Sequence, residues 1–315
     1  MKKKYLIAAL FILSISSIFI GVKDIRPIEI FQLEEAKLQI LIISRVPRLI
    51  SIIVAGVSMS IAGLIMQQIS RNKFVSPTTA ATVDSARLGI LVSLVVFSGT
   101  SVIGKMLIAF VFSLLGTMLF MQILRRVKLQ NTIFIPIIGI MLGNIIDSIA
   151  TFFAYKYDLV QNISSWLQGD FSMIIKGRYE LLYFSVPLMI IAYLYANKFT
   201  VAGMGEDFSI SLGLNYNQVV SIGVSIVAFM TALVVITVGR IPFLGLIIPN
   251  IVGILQGDNL KKNIPTTALL GAVFLMFCDI LGRVIIFPYE IPIALTVGVI
   301  GSIVFLYLLY RRATI

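Results

Sequence analysis

Histidine is absent from the 315 residues, and cysteine occurs once, as Cys278 inside an apolar run. With one thiol no disulfide can form within the chain, and without imidazole or paired thiolates the usual metal-ligand sets are missing. A metal handled by such a protein has to arrive already wrapped in a chelator, so neither a metal site nor a cofactor is expected. Charge is scarce as well: Asp, Glu, Lys and Arg make up 12% of the chain against 59% hydrophobic residues, and mean hydropathy is +1.04. These values exclude an ordinary soluble domain and point to a membrane protein. There is no nucleophile–base set and no cofactor fingerprint, so no catalytic residues and no enzyme active site are expected.

What is present is a series of apolar windows, at about 5–22, 48–69, 79–98, 106–124, 133–154, 181–196, 217–238, 241–256, 265–286 and 291–310. A hydrocarbon core of about 30 Å needs roughly 20 apolar residues per helical span, and these runs far exceed the ~10-residue segments of a barrel strand. The expected fold is an all-α integral membrane protein of about ten transmembrane helices, forming one domain over residues 1–315. The third window carries Asp84 and Arg87 near its start and the eighth contains Pro249, so some spans are expected to be broken or short. The opening MKKKYLIAALFILSISSIFIG lacks an A-x-A-like cleavage site and reads as a retained first helix.

The net charge of +11 reads as basic anchors on cytoplasmic loops rather than a nucleic-acid surface. With both termini inside, the clusters KKK, RRVK, KK and the terminal RR all fall on the cytoplasmic side, together with Asp84 and Arg87. Arg45 and Arg48 of SRVPRLISIIVAG then lie outside, at the mouth of the second span. Pro47 suits the first turn of a helix. Three residues apart, the two guanidiniums can share a face. They either reach lipid phosphates or receive carboxylates from an extracellular partner.

Four segments, RVPRLISIIVAGVSMSIAGLIMQQISRNKFVSP, GEDFSISLGLN, GRIPFLGLIIPNIVGILQGDN and CDILGRVIIFPYEIPIALTVGVIGSIVFLYLLYRR, resemble the permease subunits of ABC importers for iron-siderophores, haem and cobalamin. The likeness runs from about residue 40 to the C-terminus. It implies the type II importer permease fold: ten helices, two permease subunits around a central pathway, two cytoplasmic ABC ATPases and an external substrate-binding protein, lipid-anchored or periplasmic, at the bacterial plasma membrane. By the same resemblance Arg45, Arg48 and Arg283 receive acidic residues of the binding protein. Asp279 stands one helical turn before Arg283, so an intrahelical pair is a competing account.

Segment 203–218, GMGEDFSISLGLNYNQ, is a polar island whose periodicity fits a helix or a strand. Glu206 and Asp207 suit a helix N-terminus, Gly213 a stop, and Asn215 or Asn217 a cap for the next span. The resemblance implies a coupling helix that enters a groove of the ATPase, formed by Gly205, Glu206, Asp207, Phe208, Leu212 and Gly213. Asn144 and Asp147 share a face of the fifth span. They are expected either to line the pathway or to hold a neighbouring helix. GIMLG, 139–143, reads as close helix packing. GTSVIGKM, 99–106, imitates a P-loop but lacks its final Ser/Thr and its strand-to-helix context.

NKFVSPTTAATVDSARLG, 72–89, departs from the commoner pattern of the family and is similar to the Gram-positive subgroup importing catecholate siderophores such as petrobactin. Permeases of that subgroup often pair as heterodimers, with a homodimer the alternative. The rival expectations are haem or cobalamin as cargo, or an H⁺- or Na⁺-coupled carrier using Asp147 and Asp279 as ion sites.

Overall fold

The computed structural model describes residues 2–21, 35–79, 81–126, 134–177 and 179–313. Lys128 of the RRVK cluster lies outside the described residues, as do the side chains of Arg125, Arg311 and Arg312. Among the described residues, six helical stretches are long and apolar enough to cross a bilayer: Leu38–Ile69, Val102–Leu124, Ile137–Lys156, Glu180–Ala202, Tyr216–Val238 and Leu260–Val284. In chain order the helices are α1 (Lys3–Phe19), α2 (Glu35–Ile40), α3 (Val46–Ile69), α4 (Thr82–Val95), α5 (Val102–Arg126), α6 (Phe134–Lys156), α7 (Val160–Leu167), α8 (Ser185–Ala202), α9 (Glu206–Ser211), α10 (Tyr216–Val238), α11 (Leu244–Gln256), α12 (Leu260–Val284) and α13 (Ile293–Ala313). The four apolar helices α1, α4, α11 and α13 occupy the remaining windows, so each of the ten expected spans has its helix.

Burial separates these helices by role. In α3 and α10, 78% of the apolar window is buried, against 22% in α6 and α8. The first two are the interior of the bundle, and the apolar faces of the others are left for lipid or another chain. Small residues let α3 take this position. A Cβ at Gly56 would stand 2.8 Å from the carbonyl oxygen of Gly271 on α12, and one at Gly63 would overlap the carbonyl of Gly245 on α11. Close backbone approach of this kind supplies the van der Waals packing that drives helix association in lipid.

Two spans are short. At 1.5 Å per residue α4, with 14 residues, and α11, with 13, each cover about 20 Å of a ~30 Å core. Left-handed backbone at Ala81 and Phe243 marks the two breaks. The chain between α3 and α4 does not stay at the surface: Asn72, Val75, Ser76 and Pro77 are buried, and Pro77 packs on Gly245. Irregular backbone survives at this depth only where protein satisfies it. Gln67 donates to the carbonyl of Leu246 at 3.1 Å, and Asn250 to the carbonyls of Lys73 at 2.8 Å and Leu246 at 2.7 Å.

The start of α4 is thereby drawn inward. Its Thr82 hydroxyl lies 2.8 Å from that of Thr117, and Ser113 donates to the Thr82 carbonyl at 3.1 Å, both partners in the central part of α5. Asp84 and Arg87, expected from the sequence in a cytoplasmic segment, therefore sit beside the middle of α5 and α6. The hydropathy pattern locates the apolar run but not a re-entrant approach to it, because the buried polar residues of 72–77 read as loop.

Candidate functional site

At one end of α3 lies a cluster of five ionised side chains. A π-helical turn, Leu41–Arg45, leads into α3, and its Ile43 carbonyl accepts the N–H of Lys176 at 3.0 Å. The turn aims Arg45 at the end of α1, where it donates to the carbonyl of Ile18 and, at 3.2 Å, to that of Phe19. Arg283, near the end of α12, donates to the carbonyls of Ser17 at 2.9 Å and Ile20 at 2.8 Å and to the Ser17 hydroxyl at 2.5 Å. The last carbonyls of a helix have no partners within it and carry the negative end of its dipole. Two arginines from different spans fill that need for α1 and fasten it to the bundle.

Arg48 turns the other way. It donates to Asp279 at 2.8 Å and to Glu290 at 2.7 Å, and Asp279 also binds Arg283 at 2.6 Å. Asp279 thus serves two guanidiniums. The intrahelical pair with Arg283 is present, but it is one edge of a network joining α1, α3, α12 and the turn before α13. Asp279 and Arg283 are nearly sealed, at 2% and 4% side-chain exposure, whereas Arg48 and Glu290 keep 13% and 25%. Three cations face two anions. Arg48 and Glu290 are the part a second molecule can reach. Nothing in the local sequence marked Glu290, because it meets Arg48 only through the tertiary fold.

At the far end of α3, segment 203–218 forms a single helical turn and a half, α9, rather than a strand. Gly205 precedes it at φ +122° and Gly213 follows it at φ +74°, both in the region that suits glycine. The N–H of Leu214 reaches the carbonyl of Ser209 at 2.9 Å and that of Gly213 the carbonyl of Ile210 at 2.8 Å, which closes the helix in the manner of a Schellman end. The buried Ser209 hydroxyl donates to Gly205 and Val201 and pins α9 to the end of α8. Asn215 caps α10 by accepting from the N–H of Gln218 at 3.1 Å. What remains outside is apolar: Met204, Phe208, Ile210 and Leu212 are exposed beside the exposed Glu206 and Asp207. An exposed apolar knob held by two special glycines marks a surface for contact with another protein or with the membrane.

Of the two carboxylates considered as ion sites, Asp279 is held as above and Asp147 is paired with Arg87 of α4. Asn144 is exposed one turn away on α6 and accepts through its carbonyl from Ser148 at 2.7 Å. Gly143 of GIMLG lies against the Asp84 carboxylate and Ala81, so that motif does pack α6 closely on α4.

Known proteins share this architecture and sequence. The chain is 65% identical to the petrobactin import system permease protein YclN of Bacillus subtilis, over 99% of both chains. It is 39% identical, over 98% of each, to the ferric-anguibactin transport system permease protein FatD of Vibrio anguillarum. A solved chain described as of the metal-chelate ABC transporter type, in an inward-facing conformation, matches with a TM-score of 0.84 over 97% of each chain at 22% identity, a likeness of fold. Residues 7–311 match the model of the FecCD transport family, and the chain belongs to that family.

Proposed function

We propose that this protein is the transmembrane permease subunit of an ABC importer that passes a ferric siderophore of the catecholate class from an external binding protein into the bacterial cytoplasm. The observation that carries this reading is the end-to-end likeness, at 65% identity, to a petrobactin import permease. The chain acts as one transmembrane domain with both termini in the cytoplasm, as the placement of its basic clusters favours. Two ABC ATPases supply the energy and engage α9 through Gly205, Glu206, Asp207, Phe208, Leu212 and Gly213. A second permease, a different chain, completes the pathway, with lipid covering the other apolar faces. Asp147 already has Arg87 as its cation partner and the sealed Asp279 has Arg48 and Arg283, which favours this reading over an H⁺- or Na⁺-coupled carrier.

Radiolabelled ferric petrobactin uptake tests the reading in cells lacking the chain and in cells carrying it. Uptake should require the chain, fail on ATP depletion and survive an uncoupler. Loss of uptake with the uncoupler alone, while ATP is maintained, would refute it.

Docking of the binding protein is assigned to the cluster of Arg45, Arg48 and Arg283, with Arg48 as the contact that reaches solvent. Glu290 then competes internally for the same guanidinium. Glu290→Gln is expected to tighten the binding protein several-fold and to steepen the dependence on salt, since Arg48 keeps Asp279 and gains a free direction. Surface plasmon resonance with the reconstituted transporter reads this. Weaker binding by Glu290→Gln would count against the assignment.

A further inference from the structure

A second charged group sits where charge is least expected. Asp147 lies near the midpoint of the 23-residue α6 and pairs with Arg87 of α4. Arg87 and Asp84 are three residues apart on α4, and the Asp84 carboxylate abuts Gly143 of α6. Arg240, exposed in the turn after α10, interacts electrostatically with Asp84, as do Arg87 and Asp147. The beginning of α4 is fixed at the level of Thr117 and Ser113, in the central part of α5, so the group lies at bilayer depth.

The pair is also not sealed. Arg87 keeps 20% and Asp147 36% of side-chain exposure, and Asn144 and Ser148 stand exposed on the same helix. Ionised and partly exposed groups at this depth are not solvated by lipid; they face either water or another protein surface that answers their charge. A sealed structural pair, such as Asp279 with Arg283, looks different, with almost no exposure on either partner. Arg87 is therefore a cation balanced by a neighbour but open on one side.

We propose that Arg87, held in place by Asp147, lines an aqueous route at mid-membrane depth and offers its guanidinium to an anionic ferric chelate, with Arg240 and Asp84 completing the charged wall. Resting neutrality is part of the device. An unbalanced arginine would trap an anionic cargo, whereas one that exchanges Asp147 for the cargo and back gives a weak, passing contact. The identity of the cargo rests on the function proposed above, while the aqueous character of the wall does not.

The test uses the assembled transporter with Cys278→Ser, which removes the single thiol of this chain, and reads labelling on this chain alone. Asn144→Cys beside the wall and Leu194→Cys on the apolar face of α8 are exposed to two water-soluble methanethiosulfonates, one an ethylsulfonate anion and one a trimethylammonium cation. The first thiol should react with both reagents and the second with neither. Adding Asp147→Asn should raise the anion-to-cation rate ratio at the first thiol by about tenfold, and adding Arg87→Gln should lower it by a similar factor. An inert first thiol, or a ratio indifferent to both charge substitutions, overturns the proposal.

In the transport arm, Arg87→Gln should reduce ferric petrobactin uptake by about tenfold with binding-protein affinity unchanged, and Arg87→Lys should recover part of it. Normal uptake by Arg87→Gln overturns the contact with cargo. Labelling as expected, with no ferric petrobactin uptake by the unsubstituted protein, supports the aqueous wall and refutes the catecholate reading alone.

Discussion

Asp279→Leu is expected to cost about 3–5 kcal/mol of stability, the scale for removing one member of a buried charge network and leaving its partners uncompensated. Asp279 is the single carboxylate between Arg48 and Arg283, and Arg283, at 4% side-chain exposure, has no water to turn to. Its remaining partners are the Ser17 hydroxyl and the carbonyls of Ser17 and Ile20, which satisfy N–H groups but do not neutralise the charge. The loss should appear as a large fall in melting temperature in detergent and in the yield of monodisperse protein. Arg283→Met on top of Asp279→Leu should return part of the loss, because it removes the stranded cation and Arg48 still keeps Glu290. It should not return all of it, since α1 then loses its Arg283 contacts. If the double variant is no more stable than Asp279→Leu alone, the network is not the source of the cost.

A larger functional effect with a smaller structural one is expected at α9. Gly205→Pro combined with Leu212→Asp should abolish uptake while the protein still reaches the membrane. Proline fixes φ near −65°, and Gly205 stands at +122°, so α9 cannot start as it does. Leu212 is 61% exposed, so an aspartate there meets no core and alters only what the knob presents to a partner. Leu212→Asp alone is the cleaner arm. ATP hydrolysis in reconstituted vesicles should continue at its basal rate but lose its stimulation by the loaded binding protein. Stimulated hydrolysis and uptake at the unsubstituted level in both variants would remove α9 from the transmission of energy.

The two ends of the molecule were legible to different degrees. At α9 every structural element is local: the acidic first turn, the glycine stop after Leu212 and the Asn215 cap lie within a dozen residues, so the sequence marks them even though its periodicity leaves helix and strand undecided. At the other end the arginines are visible and their partners are not. Arg48 meets Asp279 and Glu290 across most of the chain, and no spacing rule connects residues that far apart. The family resemblance points Arg45 and Arg283 outward, whereas the fold buries both and turns their guanidiniums to the open carbonyls of α1.

The short α4 illustrates the same limit. A hydropathy window near residue 80 marks a span and places Asp84 and Arg87 at its edge. Only the packing of Pro77 on Gly245, and of Thr82 on α5, carries that edge to the middle of the bundle.

Composition and hydropathy by themselves determined that this chain is helical and crosses a membrane about ten times, because a low-dielectric solvent admits only segments that satisfy their own backbone. Local turn chemistry further marked where α9 and α10 begin. The tertiary structure alone decided which charges neutralise one another, how deep each lies and which side of each remains open. Those properties depend on distances between helices, and a one-dimensional pattern carries no such distances.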